Sequence, residues 1–205
     1  MLSLVLTYCK IIVDTISSDF ATILHRGVQS SNRPAIAELK TALQSAEVTA
    51  RKEKIAIPFD SLIGEWRLCF ATGASKDKSK GVKIGRGYYL PKFIAASIAF
   101  TKDLTSTMTG TATNKLAIGN IQIQFTGPCR YPGKKNLLVF DFTEIQFKIF
   151  GKIVYQGKIR SGKNGELNLE LISIAKLPFF AFFWAGTNEI AARGRTGGMA
   201  LWVRD

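Results

Sequence analysis

The hydrophobic period of this chain changes once, near Pro58, and that change constrains its fold more than any other feature. Before it, Leu2, Leu6, Cys9, Ile12, Val13, Ile16, Phe20, Ile23 and Leu24 recur at helical spacing, with Ser3, Lys10, Asp14, Ser17 and His25 opposite. This is the pattern of an amphipathic helix. A second helix is expected from Asn32, a capping residue type followed by Arg33-Pro34, with Ile36, Leu39 and Leu43 as its stripe, ending at Arg51-Lys52-Glu53-Lys54.

After Pro58 the period is two. Trp66, Leu68 and Phe70 alternate with Arg67 and Cys69, and Ile121, Ile123 and Phe125 with Gln122 and Gln124. Ile153, Tyr155 and Ile159 alternate with Lys152, Gln156 and Lys158, and Leu167, Leu169 and Leu171 with Asn168 and Glu170. Such segments are half-buried strands. Turn signals divide them at Pro132–Asn136, Phe150-Gly151, Ser161–Gly165 and Arg195–Gly198. Strands joined by short hairpins pair antiparallel, so the expected fold is mainly β, a closed barrel or a sandwich, with the barrel favoured because closing the sheet removes its edges. Residues 1–50 form an N-terminal helical segment and 60–205 an antiparallel β-barrel domain, with the boundary between Thr49 and Asp60.

Charge and cysteine usage narrow the function. The net charge is +13, of which residues 1–60 supply +1 and 61–205 supply +12. A basic barrel is drawn to polyanions, either an anionic bilayer or nucleic acid. Cys9, Cys69 and Cys129 are widely spaced, and His25 is the one histidine, so neither a zinc site nor a disulfide framework is expected. A reducing compartment is the simpler reading. No apolar run reaches the ~18–20 residues of a membrane span. Membrane contact is therefore expected to be peripheral.

Gly64-Glu65-Trp66 opens the first strand, and a Gly-x-Trp there resembles the lipocalin signature. With the helical front, the stretch Leu62–Thr72 and the closing Asn188–Arg204, the chain resembles the plastid lipid-associated protein (fibrillin) family of chloroplasts and cyanobacteria. In that family an acidic residue and an Arg-Gly pair precede a final apolar strand, and Glu189, Arg193 and Gly194 match this. The resemblance implies a lipocalin-like barrel, peripheral association with thylakoids or plastoglobules, and binding of carotenoids, quinones or acyl lipids. It implies no catalytic residue and no cofactor. The front shows no evident transit peptide, which on this resemblance points to a mature or cyanobacterial form.

The expected function is therefore non-catalytic binding of an apolar lipid or pigment. Trp66, Leu68, Phe70, Ile121, Ile123 and Phe125, with Tyr155, Ile159, Leu169 and Leu171, are the expected lining of its site. Membrane contact is assigned to the basic cluster Lys76, Lys78, Lys80, Lys83 and Arg86 and to Phe179, Phe180, Phe183 and Trp184 of an aromatic run. That run also fits a strand held between the barrel core and the N-terminal helix, the plainer of the two readings. Gly64, Glu189, Arg193, Gly194 and Trp202 are expected to be structural, with Glu189 and Arg193 paired near the barrel end and the guanidinium on Trp66 or Trp202.

Two other classes stay open. An enzyme acting on a bound tetrapyrrole or isoprenoid needs a carboxylate such as Asp141 or Glu170 inside the barrel. A nucleic-acid module needs Tyr88 and Tyr89 of Gly85-Arg86-Gly87-Tyr88-Tyr89 exposed within a basic stripe. No RNP, zinc-finger or helix-turn-helix signature accompanies that segment, and nucleic acid is not the expected partner.

Overall fold

The structure is a computed structural model that describes residues 19–77, 81–104, 106–159, 169 and 173–205, with the backbone alone at 75–77, 81–83, 134 and 175. Helix α1 occupies 19–28, and the earlier part of the helix read from Leu2 is outside the described residues. Helix α2 spans Ile36–Lys52. Asn32 does not cap it but takes a left-handed backbone (φ 56°) in the connecting turn. The helix begins instead after Ala35, whose N–H donates to Glu38 Oε2 at 3.2 Å.

The strands are β1 (Gly64–Asp77), β2 (Gly81–Tyr89), β3 (Ile94–Lys102), β4 (Thr109–Ile118), β5 (Ile121–Arg130), β6 (Leu137–Phe140), β7 (Glu144–Ile149), β8 (Lys152–Lys158), β9 (Phe179–Ala185), β10 (Glu189–Gly194) and β11 (Met199–Arg204). The pairings are antiparallel, and β1, β3, β4, β5, β6, β9, β10 and β11 close a ring because β11 pairs back onto β1. The fold is a lipocalin-like barrel. Two hairpins prolong its wall. Along one edge of β1, β3 covers Gly64–Arg67 and β2 takes over from Phe70 to Asp77. Along β5, β6 covers only Cys129 and Arg130, while β7 pairs with Ile121–Thr126 and carries β8 on its other edge. Both extensions leave from the end where β3 begins and β4 ends. That end is the mouth.

The opposite end is plugged by the segment read as a domain boundary. Ile57, Phe59 and Leu62 are buried in the barrel core with Trp66, Phe100, Tyr131 and Phe140. Asn136 holds this plug, accepting from Ile57 N at 3.0 Å and donating to Ile55 O at 2.8 Å, and the Tyr131 hydroxyl donates to Ile57 O at 2.7 Å. A second core lies outside the barrel. There Leu24 and Val28 of α1 and Leu39, Leu43 and Ala46 of α2 pack on Phe70, Phe183, Met199 and Leu201. Burying each such Leu or Phe contributes roughly 1.5–3 kcal/mol, so the helices add a full layer to the fold.

Candidate functional site

Strand register shows how the mouth is built. Residues directly opposite one another in antiparallel strands share a face. Ile98↔Asn114, Asn114↔Phe125 and Phe125↔Ile145 continue the face of Trp66, which pairs with Ile98. One step further out, Leu116↔Ile123 and Ile123↔Phe147↔Tyr155 extend it, and Ile94↔Ile118, Ile118↔Ile121 and Ile121↔Ile149 form the outermost row. The reverse face carries Thr113, Lys115, Gln122, Gln124, Gln146, Lys148 and Gln156, where Lys115 Nζ donates to Glu65 Oε1 at 2.8 Å. Apolar side chains thus line the inside beyond the plug, and they are half-open to solvent: Leu116 is 40% exposed, Ile121 49% and Tyr155 56%.

Of the residues expected to line the site, Trp66 and Leu68 belong to the closed core and Ile121, Ile123, Phe125 and Tyr155 to the open face. Phe125 packs beside Phe142, its ring tilted by 36° with centroids 5.8 Å apart. Phe70 faces the other way. A bulge between Leu68 and Phe70 inserts a residue into β1, reversing the alternation, and Phe70 packs outside against the helices and Tyr89. Leu169 also sits outside, on Val139 of β6 and on Leu177 ahead of β9. Ile159 follows β8 half-buried, its N–H donating to Thr143 O at 2.7 Å, and Leu171 lies outside the described residues. Leu116, Ile118, Ile145, Phe147 and Ile149 complete the open face. For Ile145, Phe147 and Ile149 the sequence signal is plain in Glu144-Ile145-Gln146-Phe147-Lys148-Ile149, which alternates without a break.

The aromatic run is strand β9 and does not form an exposed membrane contact. Phe180 pairs edge-on with Trp202 at 5.4 Å in the barrel core, while Phe183 is buried under the helices and Trp184 meets Phe20 edge-on at 5.8 Å. Phe179 packs beside Val139. Both faces of β9 avoid water because a wall strand under a helical layer has apolar neighbours on each side. Lys76 and Lys83 lie on the β1–β2 hairpin, Lys78 and Lys80 are outside the described residues, and Arg86 is exposed.

The expected end-cap is rearranged. Glu189 and Arg193 share a face of β10 but are four residues apart, roughly 13 Å along an extended strand, and each has another partner. Arg193 Nε donates to Glu47 Oε1 of α2 at 2.6 Å, Nη2 donates to Glu47 Oε2, and Nη1 donates to Gly197 O at 2.6 Å. Buried Glu189 accepts from Trp184 Nε1 at 3.4 Å and faces His25 Nδ1 at 3.6 Å. The guanidinium over Trp66 belongs to Arg204, 4.0 Å from the ring centroid. Gly64 (φ 127°) turns the plug into β1 beneath it, and a Cβ there would lie 2.6 Å from Arg204 Nη1. Trp66 Nε1 donates to Leu62 O at 2.7 Å, so indole, plug and guanidinium form one closure. At Gly194 an added Cβ would meet nothing closer than 3.8 Å.

Other candidate chemistry is engaged in structure. Of the two tyrosines that a nucleic-acid surface would need, Tyr88 is 54% exposed, whereas Tyr89 donates its hydroxyl to Pro34 O at 2.8 Å under Arg33. Asp141 falls between Phe140 and Phe142, both packed toward the barrel core, and Glu170 lies outside the described residues. Burial pushes the Cys129 thiol up to about 12 and raises that of Cys69, which keeps both protonated and unreactive. A cleft of 560 Å³ opens outside the barrel among Glu47, Arg51, Lys54, Asn136 and Phe182 and shares no residue with the open face. Among the described residues no helix is long and apolar enough to cross a membrane, and no group of His, Cys, Asp and Glu gathers to hold a metal ion. No known protein family matches this chain, and neither does any curated protein.

Proposed function

We propose that the protein holds an apolar lipid-like ligand, a carotenoid, quinone or acyl lipid, against the open inner face at the barrel mouth, and performs no chemistry on it. The observation that carries this reading is the face itself: Leu116, Ile118, Ile121 and Tyr155 stay half-open to water while the reverse face of β4, β5 and β7 carries Thr113, Lys115, Gln122, Gln124, Gln146 and Lys148. Covering such surface yields about 25 cal/mol per Å², so a ligand laid across these rows is retained by burial alone. The plugged half is filled by its own aromatic side chains, so the ligand rests in the mouth and is not swallowed by the barrel.

The resemblance to the plastid lipid-associated proteins supports the same reading and extends it to a peripheral place on thylakoids or plastoglobules. The test is a titration with a carotenoid, a quinone and a fatty acid, followed by melting temperature and tryptophan fluorescence. Micromolar or tighter binding is expected, abolished by Ile121→Asp and Ile123→Asp. Saturating titrations that leave both signals unchanged for every compound overturn the proposal.

A further inference from the structure

A lipid site at the mouth, on which the docking surface argued from the rim rests, leaves open which part of the protein meets the bilayer. Phe150, at the tip of the β7–β8 hairpin, is 75% exposed, and Phe93, just before β3, is 69% exposed. Ile118 and Ile121 flank the β4–β5 turn at the same end and are half-open. The two hairpin tips are tied together, Phe150 N donating to Asn120 O at 2.9 Å. Phe150 has φ 50° ahead of Gly151 at φ 74°, the two positive angles of a tight hairpin turn. The first position favours Asn, Asp or Gly, and a bulky side chain there is strained. A large apolar residue, strained and in water, stabilises nothing within the fold.

The charge around these tips has one sign. Residues 91–96, 116–124 and 145–156 carry Lys92, Lys148 and Lys152 and no acidic residue. The β1–β2 hairpin leaves from the same end. Its Thr72–Asp77 arm runs beyond Ala71↔Ala200, the last pair with β11, by roughly 20 Å and carries Lys76 and Asp77, and its β2 arm carries Lys83. Aromatic tips ringed by lysines match an anionic bilayer, where rings enter the acyl boundary while ammonium groups stay at the headgroups. A flat protein partner would instead meet separate protruding tips around an opening.

We propose that this rim, formed by Phe93, Ile118, Ile121 and Phe150, is the surface that enters the bilayer. The barrel docks mouth down, and its inner face becomes continuous with the acyl region, so an apolar ligand passes between membrane and protein without crossing water. Lysines supply the salt-sensitive part of binding and the tips the salt-resistant part.

The experiment is sedimentation with phosphatidylcholine vesicles, with and without phosphatidylglycerol, at low and high salt. Phe150→Asn should keep or raise the melting temperature, since Asn accepts the left-handed turn, yet lower salt-resistant binding about tenfold. Phe93→Ser should act likewise, and Lys92→Gln with Lys152→Gln should weaken the salt-sensitive part. Rim variants that sediment like the parent overturn the proposal. So does a concentration-dependent dimer in light scattering that Phe150→Asn abolishes, with no binding to vesicles. Rim-dependent sedimentation without any ligand-induced change in melting temperature would leave the docking surface standing and remove the ligand site.

Discussion

Replacing Arg193 by Ala tests the assignment of this residue as the link between the helical layer and the barrel. Its fork to Glu47 joins β10 to α2, and its third donor holds Gly197 O in the turn before β11. The two side chains are 24% and 18% exposed, too shielded for the pair to behave as an ordinary surface ion pair. Losing a bidentate charge-assisted contact and a carbonyl bond, with Glu47 left partly buried, costs about 3 kcal/mol. Arg51, 4.0 Å from Glu47, returns only a part of this. For a chain of this size the melting temperature should fall by roughly 10 °C. Arg193→Lys should lie in between, because Lys keeps the charge and loses the fork. Urea denaturation of the single variants and of the double variant with Glu47→Ala gives the coupling, expected near ~2 kcal/mol. A loss below ~0.5 kcal/mol in Arg193→Ala, or strict additivity in the cycle, would show that the link does not hold the layers together.

Asn136→Ala should lower stability by about 2–3 kcal/mol, since it removes both side-chain bonds to the plug and places Ala at a left-handed φ of 49°. Asn136→Gly should lose less, and urea curves showing equal losses would mean that the backbone angle is immaterial. Glu65 carries a pH signature: the hydrogen bond from Lys115, then that from Ser97, holds its pKa below the ordinary 4.5. A depressed folded pKa means that its stabilisation is present above the ordinary value and is lost as pH falls through the lowered one. With the carboxylate 40% exposed this is well under ~1 kcal/mol. The acid limb of stability should flatten in Lys115→Gln, and an identical limb in parent and variant would show that the pair contributes nothing.

What the sequence alone determined is the alternation. Period two with hairpin signals is a local property, because strand side chains point to opposite faces at every residue, and it reported both the antiparallel barrel and the faces of Ile121, Ile123, Phe125 and Tyr155. Where a pattern is interrupted by something only the assembled sheet shows, reading residues in order failed. The bulge after Leu68 turned Phe70 outward, and no residue type marks it. The aromatic richness of β9 was legible, but its place between two apolar layers depended on α1 and α2 folding back over that wall. Partner choice was the least legible. Arg193 finds Glu47, 146 positions away, and Arg204 takes the place over Trp66, because ion pairs are set by which strands and helices become neighbours. The mouth itself is a tertiary product: β6 is short, so β7 and β8 continue the wall beyond the closed ring, and the alternation that would have been core becomes an open apolar face.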